Sequence, residues 1–337
     1  RMAVPMTVAQ ILNLLYNMVD RMYIGHIPGA SSLALTGVGI TFPIISMITA
    51  FANLFGMGGA PLCSMARGRR DYDAAKRYMQ NAFWMLFAAG VVLTVTGYVI
   101  EKPLLYALGA SSVTYPYASS YLRIYLLGNM FVMVGIGMNP FINAQGFGTM
   151  GMVTVGLGAL VNIILDPLFI FVFHMGVEGA AIATIIAQFL SALWVLFFLT
   201  GEKPDLRLKI CWRKPESTVV KEIVSLGLSN FFMLFTNSLV QVVCNRQLQL
   251  YGGDLYVGVM TVLISVRDVA TMVVNGITSG AQPVISFNYG AQKKDRVKQG
   301  IRFMVTICII YTCLMWIMTL TFPEAFIRLF NSDAELV

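Results

Sequence analysis

The 337 residues are 57% hydrophobic and only 12% charged, with a formal net charge of +7 and a mean hydropathy of +0.74. Soluble domains carry about 25% charged residues, so this chain cannot cover a water-facing surface and is predicted to be an all-α polytopic membrane protein. The positive charge does not point to nucleic acid, because most of the 23 Lys and Arg residues gather in three loop clusters, at 67–77, 203–221 and 293–302. The loops near Pro28, Gly176 and Gly252 are almost free of basic residues. That alternation is the positive-inside pattern and places the three clusters on the cytoplasmic side.

A membrane span needs about 20 apolar residues. Nine candidates follow in chain order, at about 2–25, 33–57, 78–100, 117–139, 150–173, 178–200, 223–249, 255–282 and 301–322. The first carries Pro5, which predicts a kink or hinge. It also carries a polar stripe of Gln10, Asn13, Tyr16, Asn17 and Asp20, spaced three and four apart and so lining one helix face. A polar stripe on an apolar span is expected to face a cavity. Charge inside the hydrocarbon region costs at least about 2.5 kcal/mol, so acids there are functional candidates. Three qualify: Asp20, Asp166 and Asp268.

Asp166 follows Asn162 by one helical turn in the fifth span and precedes Pro167. An amide oxygen and a carboxylate on one face can coordinate Na⁺ or hold a proton, and Pro167 leaves the Ile163 carbonyl without its helical donor. Asp20 and Asp166 together suggest a site for one monovalent cation; an ion-pair or helix-capping role is the structural alternative. Asp268, beside Arg267 in the eighth span, fits an Arg246–Asp268 pair as well as it fits a transport role. Arg123 reads as a residue snorkelling to the interface.

The stretch 201–221, with Pro204, Pro215 and mixed charge, reads as a solvated cytoplasmic linker. The segments 101–116 and 323–337 read as short interfacial helices. Across the linker the sequence repeats itself. Asn53, Gly58, Pro61, Gly68, Asp73 and Lys76 recur 222 residues later as Asn275, Gly280, Pro283, Gly290, Asp295 and Lys298. Such a repeat in apolar sequence suggests two related bundles. The expected organisation is an amino-terminal six-helix lobe over 1–200, the linker over 201–221, and the first half of a carboxy-terminal lobe, helices 7–9, over 222–337. By the repeat, three further helices are expected that this chain does not contain. The acids do not follow the repeat, since the nearest match to Asp20 is Asn245, which precedes Arg246 as Asp20 precedes Arg21.

The five cysteines show no paired metal spacing, and His26 and His174 sit near helix ends. There is no phosphate-binding loop, metal-binding histidine pair or Ser/His/Asp arrangement, so no enzyme activity and no cofactor is expected. The 21 Met and 12% aromatic residues suit a cavity for flat amphiphilic cations, and also suit ordinary core and lipid-facing positions.

The order and spacing of several motifs resemble the multidrug and toxic compound extrusion (MATE) transporters, most closely their bacterial MepA-type branch. The motifs are Met18-Val-Asp20-Arg-Met-Tyr-Ile-Gly25, Gly58-Gly-Ala-Pro61 leading to Arg67-Gly68, Asn139-Pro140 with Gln145-Gly146, Asn162-Ile-Ile-Leu-Asp166-Pro167, and Gln282-Pro283 leading to Asn288-Tyr-Gly-Ala291. The resemblance implies a two-lobe bundle of twelve helices, nine of them present here. It also implies antiport of cationic amphiphilic drugs against H⁺ or Na⁺ by alternating access. The cation site of such proteins corresponds to Asp20, Asn162, Asp166 and Thr184. Tyr121 and Asn139 match polar residues lining the same lobe, and Pro5 matches a helix 1 proline linked to bending. A monomer in the cytoplasmic membrane, with small cationic drugs and the bilayer as its partners, is the corresponding expectation. Two other readings stay open, a lipid-linked oligosaccharide flippase of the same superfamily and a non-transporting membrane scaffold. The flippase would need several Arg facing its lumen, and only Arg21, Arg123, Arg246 and Arg267 are available.

Overall fold

The computed structural model describes residues 2–27, 31–210 and 215–322, and among them it is helical without a strand. Nine helices follow one another: α1 (Ala3–Gly25), α2 (Ser31–Gly68), α3 (Tyr72–Ala107), α4 (Tyr115–Leu127), α5 (Asn129–Ala144), α6 (Gly148–Pro167), α7 (Gly176–Thr200), α8 (Ser217–Gly290) and α9 (Lys294–Thr321). Among the described residues six helices are long and apolar enough to cross a membrane, and the bent pair α4–α5 makes a seventh. α1 falls short of that measure because its polar stripe dilutes its apolar content.

The expected span 117–139 is two helices that meet at Gly128 with a 59° bend. Gly128 lies where a Cβ would stand 2.5 Å from the Ile185 side chain of α7, so the bend packs tightly against the neighbouring helix. A break strands carbonyls in the last turn of a helix, and α3 supplies hydroxyls for them. Thr94 Oγ1 donates to Leu126 O at 3.3 Å, and Tyr98 Oη donates to Arg123 O at 2.6 Å. Asn129, the first residue of α5, donates to Gly90 O at 3.1 Å and to Thr94 Oγ1 at 3.1 Å.

α3 runs through Pro103 to Ala107, so 101–107 is its last part rather than a separate interfacial helix. This continuation buries an acid that is not among the three candidates. Glu101 is 4% exposed, accepts from Ser119 Oγ, and is paired with Arg123 Nε at 2.8 Å. Arg123 therefore anchors α4 to α3 while its outer part stays exposed. The second expected interfacial helix, 323–337, lies outside the described residues.

After Pro167, which lacks the N–H for a regular helical bond, one π-helical turn, Leu168–Val172, completes the fifth span. Helix α8 spans 74 residues, far more than a membrane requires, yet it is not straight. Gly227 lies against the Leu54 backbone and Gly290 against that of Met65. Leu54 and Met65 are about 16 Å apart along α2, whereas a straight helix from 227 to 290 would span about 95 Å. The stretch therefore doubles back between these contacts.

The 222-residue echo is visible in the backbone. α2 ends at Gly68 and α8 at Gly290, and α3 starts at Tyr72 and α9 at Lys294. In the intervening turns the equivalent residues Arg70 and Gln292 take left-handed conformations, with φ of 64° and 58°. The two copies also touch each other reciprocally. A Cβ on Gly68 would stand 2.0 Å from Phe287 O, and one on Gly290 would stand 2.0 Å from Met65 O; Met65 and Phe287 are themselves 222 residues apart. Only glycines allow backbones to approach this closely.

Further contacts lie in the same half of the molecule: Gly58 against Ile223 and Gly227, Gly276 against Thr7, and Gly280 against Ala3. These crossings bring α8 onto α1 and α2 at the end that carries the basic turns. Pro61, Pro140 and Pro283 line a small cavity at this seam, together with Ser64, Asn143, Ser279 and Gln282.

The linker differs from the expected solvated loop. Leu206 and Leu208 are 0% and 3% exposed, and burying such a side chain stabilises by about 1.5–3 kcal/mol. The side-chain amide of Gln145 clasps the Leu206 backbone, accepting from its N–H at 2.9 Å and donating to its carbonyl at 3.3 Å. Arg67 donates to Ala144 O and to Asp205 Oδ2, both at 2.7 Å. Stretch 201–208 is thus strapped to the first lobe, and burial of its two leucines is the physical reason.

Candidate functional site

Four helices of the first lobe bring the site together. α6 presents Asn162 and Asp166, one turn apart and 1% and 0% exposed; α1 presents Asp20, at 8%; α7 presents Thr184, at 4%; α4 presents Tyr121, at 3%. Asn162 Nδ2 donates to Asp166 Oδ1 at 3.1 Å and to Thr184 Oγ1 at 3.4 Å. The Asp20 and Asp166 carboxyl groups are within hydrogen-bonding reach of each other. Tyr121 lies beside Thr184 and near Asp20 and Tyr16. It also stacks on Tyr125, with centroids 6.2 Å apart and planes at 16°, which fixes the orientation of its ring.

Two buried carboxyl groups in contact require something positive between them. The donor set fits a proton or a small hard cation. Asn162 spends its amide N–H groups on Asp166 and Thr184, which leaves Asn162 Oδ1 buried without a hydrogen-bond partner, and Asp166 Oδ2 is in the same position. Carboxylate, amide and hydroxyl oxygens are the ligands that hard cations prefer.

The polar stripe of α1 divides along its edges. Asp20 is buried and Tyr16 half-buried, on the side of the cluster. Asn13 and Asn17 are exposed and engage each other, Asn17 Nδ2 donating to Asn13 O at 2.6 Å and to Asn13 Oδ1 at 3.2 Å. Asn139 is placed elsewhere, at the crossing of α5 and α6, where its Nδ2 donates to Gly151 O at 3.3 Å. Gly151 is eleven residues from Asn162, about 16 Å along α6, so Asn139 does not belong to the cluster. Pro5 stands in the first turn of a helix that is continuous from Ala3 to Gly25. A first-turn proline removes a donor that has no helical acceptor, so no break occurs there in this structure.

Asp268 is paired with Arg267 Nη2 at 3.1 Å and is 49% exposed at its side chain. The side chains of Arg246, Arg21 and Asn245 lie outside the described residues. Among the described residues no group of three or more His, Cys, Asp or Glu could hold a metal ion. Sequence reasoning missed Glu101, because the apolar run around it was ended too early. It also missed the strap residues Gln145, Asp205 and Leu206, whose roles depend on long-range contacts that no local pattern reveals.

A bundle of this kind, with its repeat, its buried acid pair on α1 and α6 and its glycine crossing, can be set beside known proteins. The MatE family profile matches residues 5–168 and 230–337. The chain belongs to the MatE family. Among curated relatives, the multidrug export protein MepA of Staphylococcus haemolyticus (strain JCSC1435) is 27% identical over 99% of this chain and 73% of its own length. MepA of Staphylococcus saprophyticus is 24% identical over the same shares. Among solved structures, an outward-facing multidrug resistance MATE family transporter of the MOP superfamily aligns with a TM-score of 0.91 at 22% identity, covering 98% of this chain and 73% of that one. A MATE in the bent conformation aligns at 0.90 and 22%, over the same shares. A MOP superfamily transporter from Pyrococcus furiosus Vc1 aligns at 0.90 and 24%, over 99% and 74%. The fold is that of the MATE transporters, and the chain is a multi-pass membrane protein.

Proposed function

We propose that this MatE chain exports cationic amphiphilic compounds across the cytoplasmic membrane in exchange for H⁺ or Na⁺. The observation that carries the reading is the cluster of Asp20, Asn162, Asp166 and Thr184, buried in the first lobe with Asn162 Oδ1 and Asp166 Oδ2 unpartnered. The MepA relatives, multidrug export proteins by name, support the substrate class. Cation loading neutralises the acid pair and favours the state in which the cluster is compact; drug binds the other state. Exchange then follows because the two ligands have opposite preferences for the two states. Alternating access is further supported by the position of the lobe contacts. The glycine crossings lie at the basic end of α2 and α8, which corresponds to a cleft closed towards the cytoplasm.

The test is efflux of ethidium by vesicles under an imposed Na⁺ or H⁺ gradient. Asp166→Asn is expected to abolish gradient-driven efflux while the protein still inserts and folds. Undiminished efflux by that variant would sink the assignment.

A further inference from the structure

We propose that Tyr78 and Asn81 of α3, engaging Glu222 and Glu216 at the start of α8, form a latch that holds the lobes together at the basic end. The inference rests on the alternating-access reading above. Tyr78 Oη donates to a Glu222 carboxylate oxygen. Asn81 Oδ1 accepts from the Glu216 N–H at 2.9 Å, and Arg77 lies 3.7 Å from the Glu216 carboxylate. On the α8 side, Val219 and Ile223 are buried at 8% and 0% exposure, so the polar contacts flank an apolar seam.

Three features make this a latch rather than a general surface contact. First, it is not needed to hold the linker, because stretch 201–208 is already bound to the first lobe by Gln145, Arg67 and its buried leucines. Second, the neighbouring glycine crossings bring bare backbones together and supply close packing without a side-chain bond. A phenol–carboxylate hydrogen bond is charge-assisted and directional, and opening the basic end separates α3 from α8 and breaks it. Third, the latch is one-sided. At the 222-residue offset the positions of Tyr78 and Asn81 are held by Gly300 and Phe303, whose side chains cannot reproduce either bond. The second copy therefore repeats the turn and omits the latch.

The test measures distances between spin labels in the complete chain held in lipid nanodiscs. The labels are placed by Asp73→Cys on α3 and Ser225→Cys on α8, in a background with the five native cysteines replaced. The unlatched form is read as a longer distance. Tyr78→Phe and Glu222→Gln are each expected to raise its population about fivefold, the equivalent of about 1 kcal/mol for one lost hydrogen bond. The double variant should add little to either single one, and the melting temperature should change little. Distance distributions identical to the parent's in both variants overturn the proposal. If a variant fails to fold, Tyr78→Cys with Glu222→Cys in the cysteine-replaced background, without spin labels, replaces it. In that arm oxidation by copper phenanthroline should protect both thiols from a polyethylene-glycol maleimide until a reductant is added, and full maleimide labelling after oxidation overturns the latch. Ethidium efflux by the parent, measured in parallel, tests transport separately: absence of efflux counts against the transport reading and leaves the distances to judge the latch.

Discussion

The turn from α2 to α3 and the turn from α8 to α9 share one backbone path but not one chemistry. Both helices end on glycine, both turns place a left-handed residue two positions later, and both following helices begin at equivalent residues. Yet Asp71 caps α3, its Oδ1 accepting from Ala74 N at 2.9 Å, while Lys293 at the equivalent place caps α9 without a side-chain bond. α3 packs into the first lobe along much of its length, whereas α9 has no buried residue among those described. The comparison teaches that a chain path can be duplicated by a few backbone-determining positions, here the helix-ending glycines and the left-handed residue after them. The capping, the burial and the acid cluster are then free to differ.

The largest expected effect separates the two copies by their acids. Asp166→Asn should abolish gradient-driven efflux, whereas Asp268→Asn, at an exposed position paired with its neighbour, should leave most of it. Equal losses in the same vesicle assay would show that the ion-coupling chemistry is shared between the copies after all. Next in size, Gly68→Ala and Gly290→Ala should destabilise to a similar degree, by about 1–3 kcal/mol as overpacking does, because each added methyl meets the other copy's backbone. Chemical denaturation in detergent micelles reads this, and a one-sided effect would break the reciprocity. Asp71→Ala should cost about 1 kcal/mol through its lost cap, and Lys293→Ala nearly nothing; equal shifts in thermal unfolding would contradict that assignment. The smallest effect should again be symmetric. Arg70→Gly and Gln292→Gly relieve the left-handed strain of a side-chain-bearing residue, so each is expected to be neutral or to stabilise by up to about 1 kcal/mol. A marked loss of stability at either would mean that its side chain, rather than its backbone, is what the turn needs.

Much of this was legible in the sequence, for identifiable reasons. Low charge and long apolar runs are global signals, so the helical membrane fold followed from composition. Helical spacing placed Asn162 and Asp166 on one face, and the structure brings that pair to Asp20. Thr184 was reached only through family resemblance, since an isolated threonine in an apolar helix carries no pattern of its own. Spacing also grouped Asn13 and Asn17 with Asp20, but a stripe about 100° wide has two edges, and only tertiary packing decides which edge is buried. The bend at Gly128 escaped because its support comes from hydroxyls on α3, and the strapped linker escaped because its polar surface conceals two leucines with partners in the first lobe.

The first lobe's cluster has a consequence for how the protein is made. Asp20, Tyr121, Asn162, Asp166 and Thr184 all precede α8 in the chain, and chains acquire structure from the amino terminus as synthesis proceeds. The helices that enclose the acid pair are therefore all in place once α7 has emerged from the ribosome. When α8 arrives, it docks its glycines on a lobe already shaped to receive them, and damage to the crossing should appear as failed assembly of the second lobe around an intact first one.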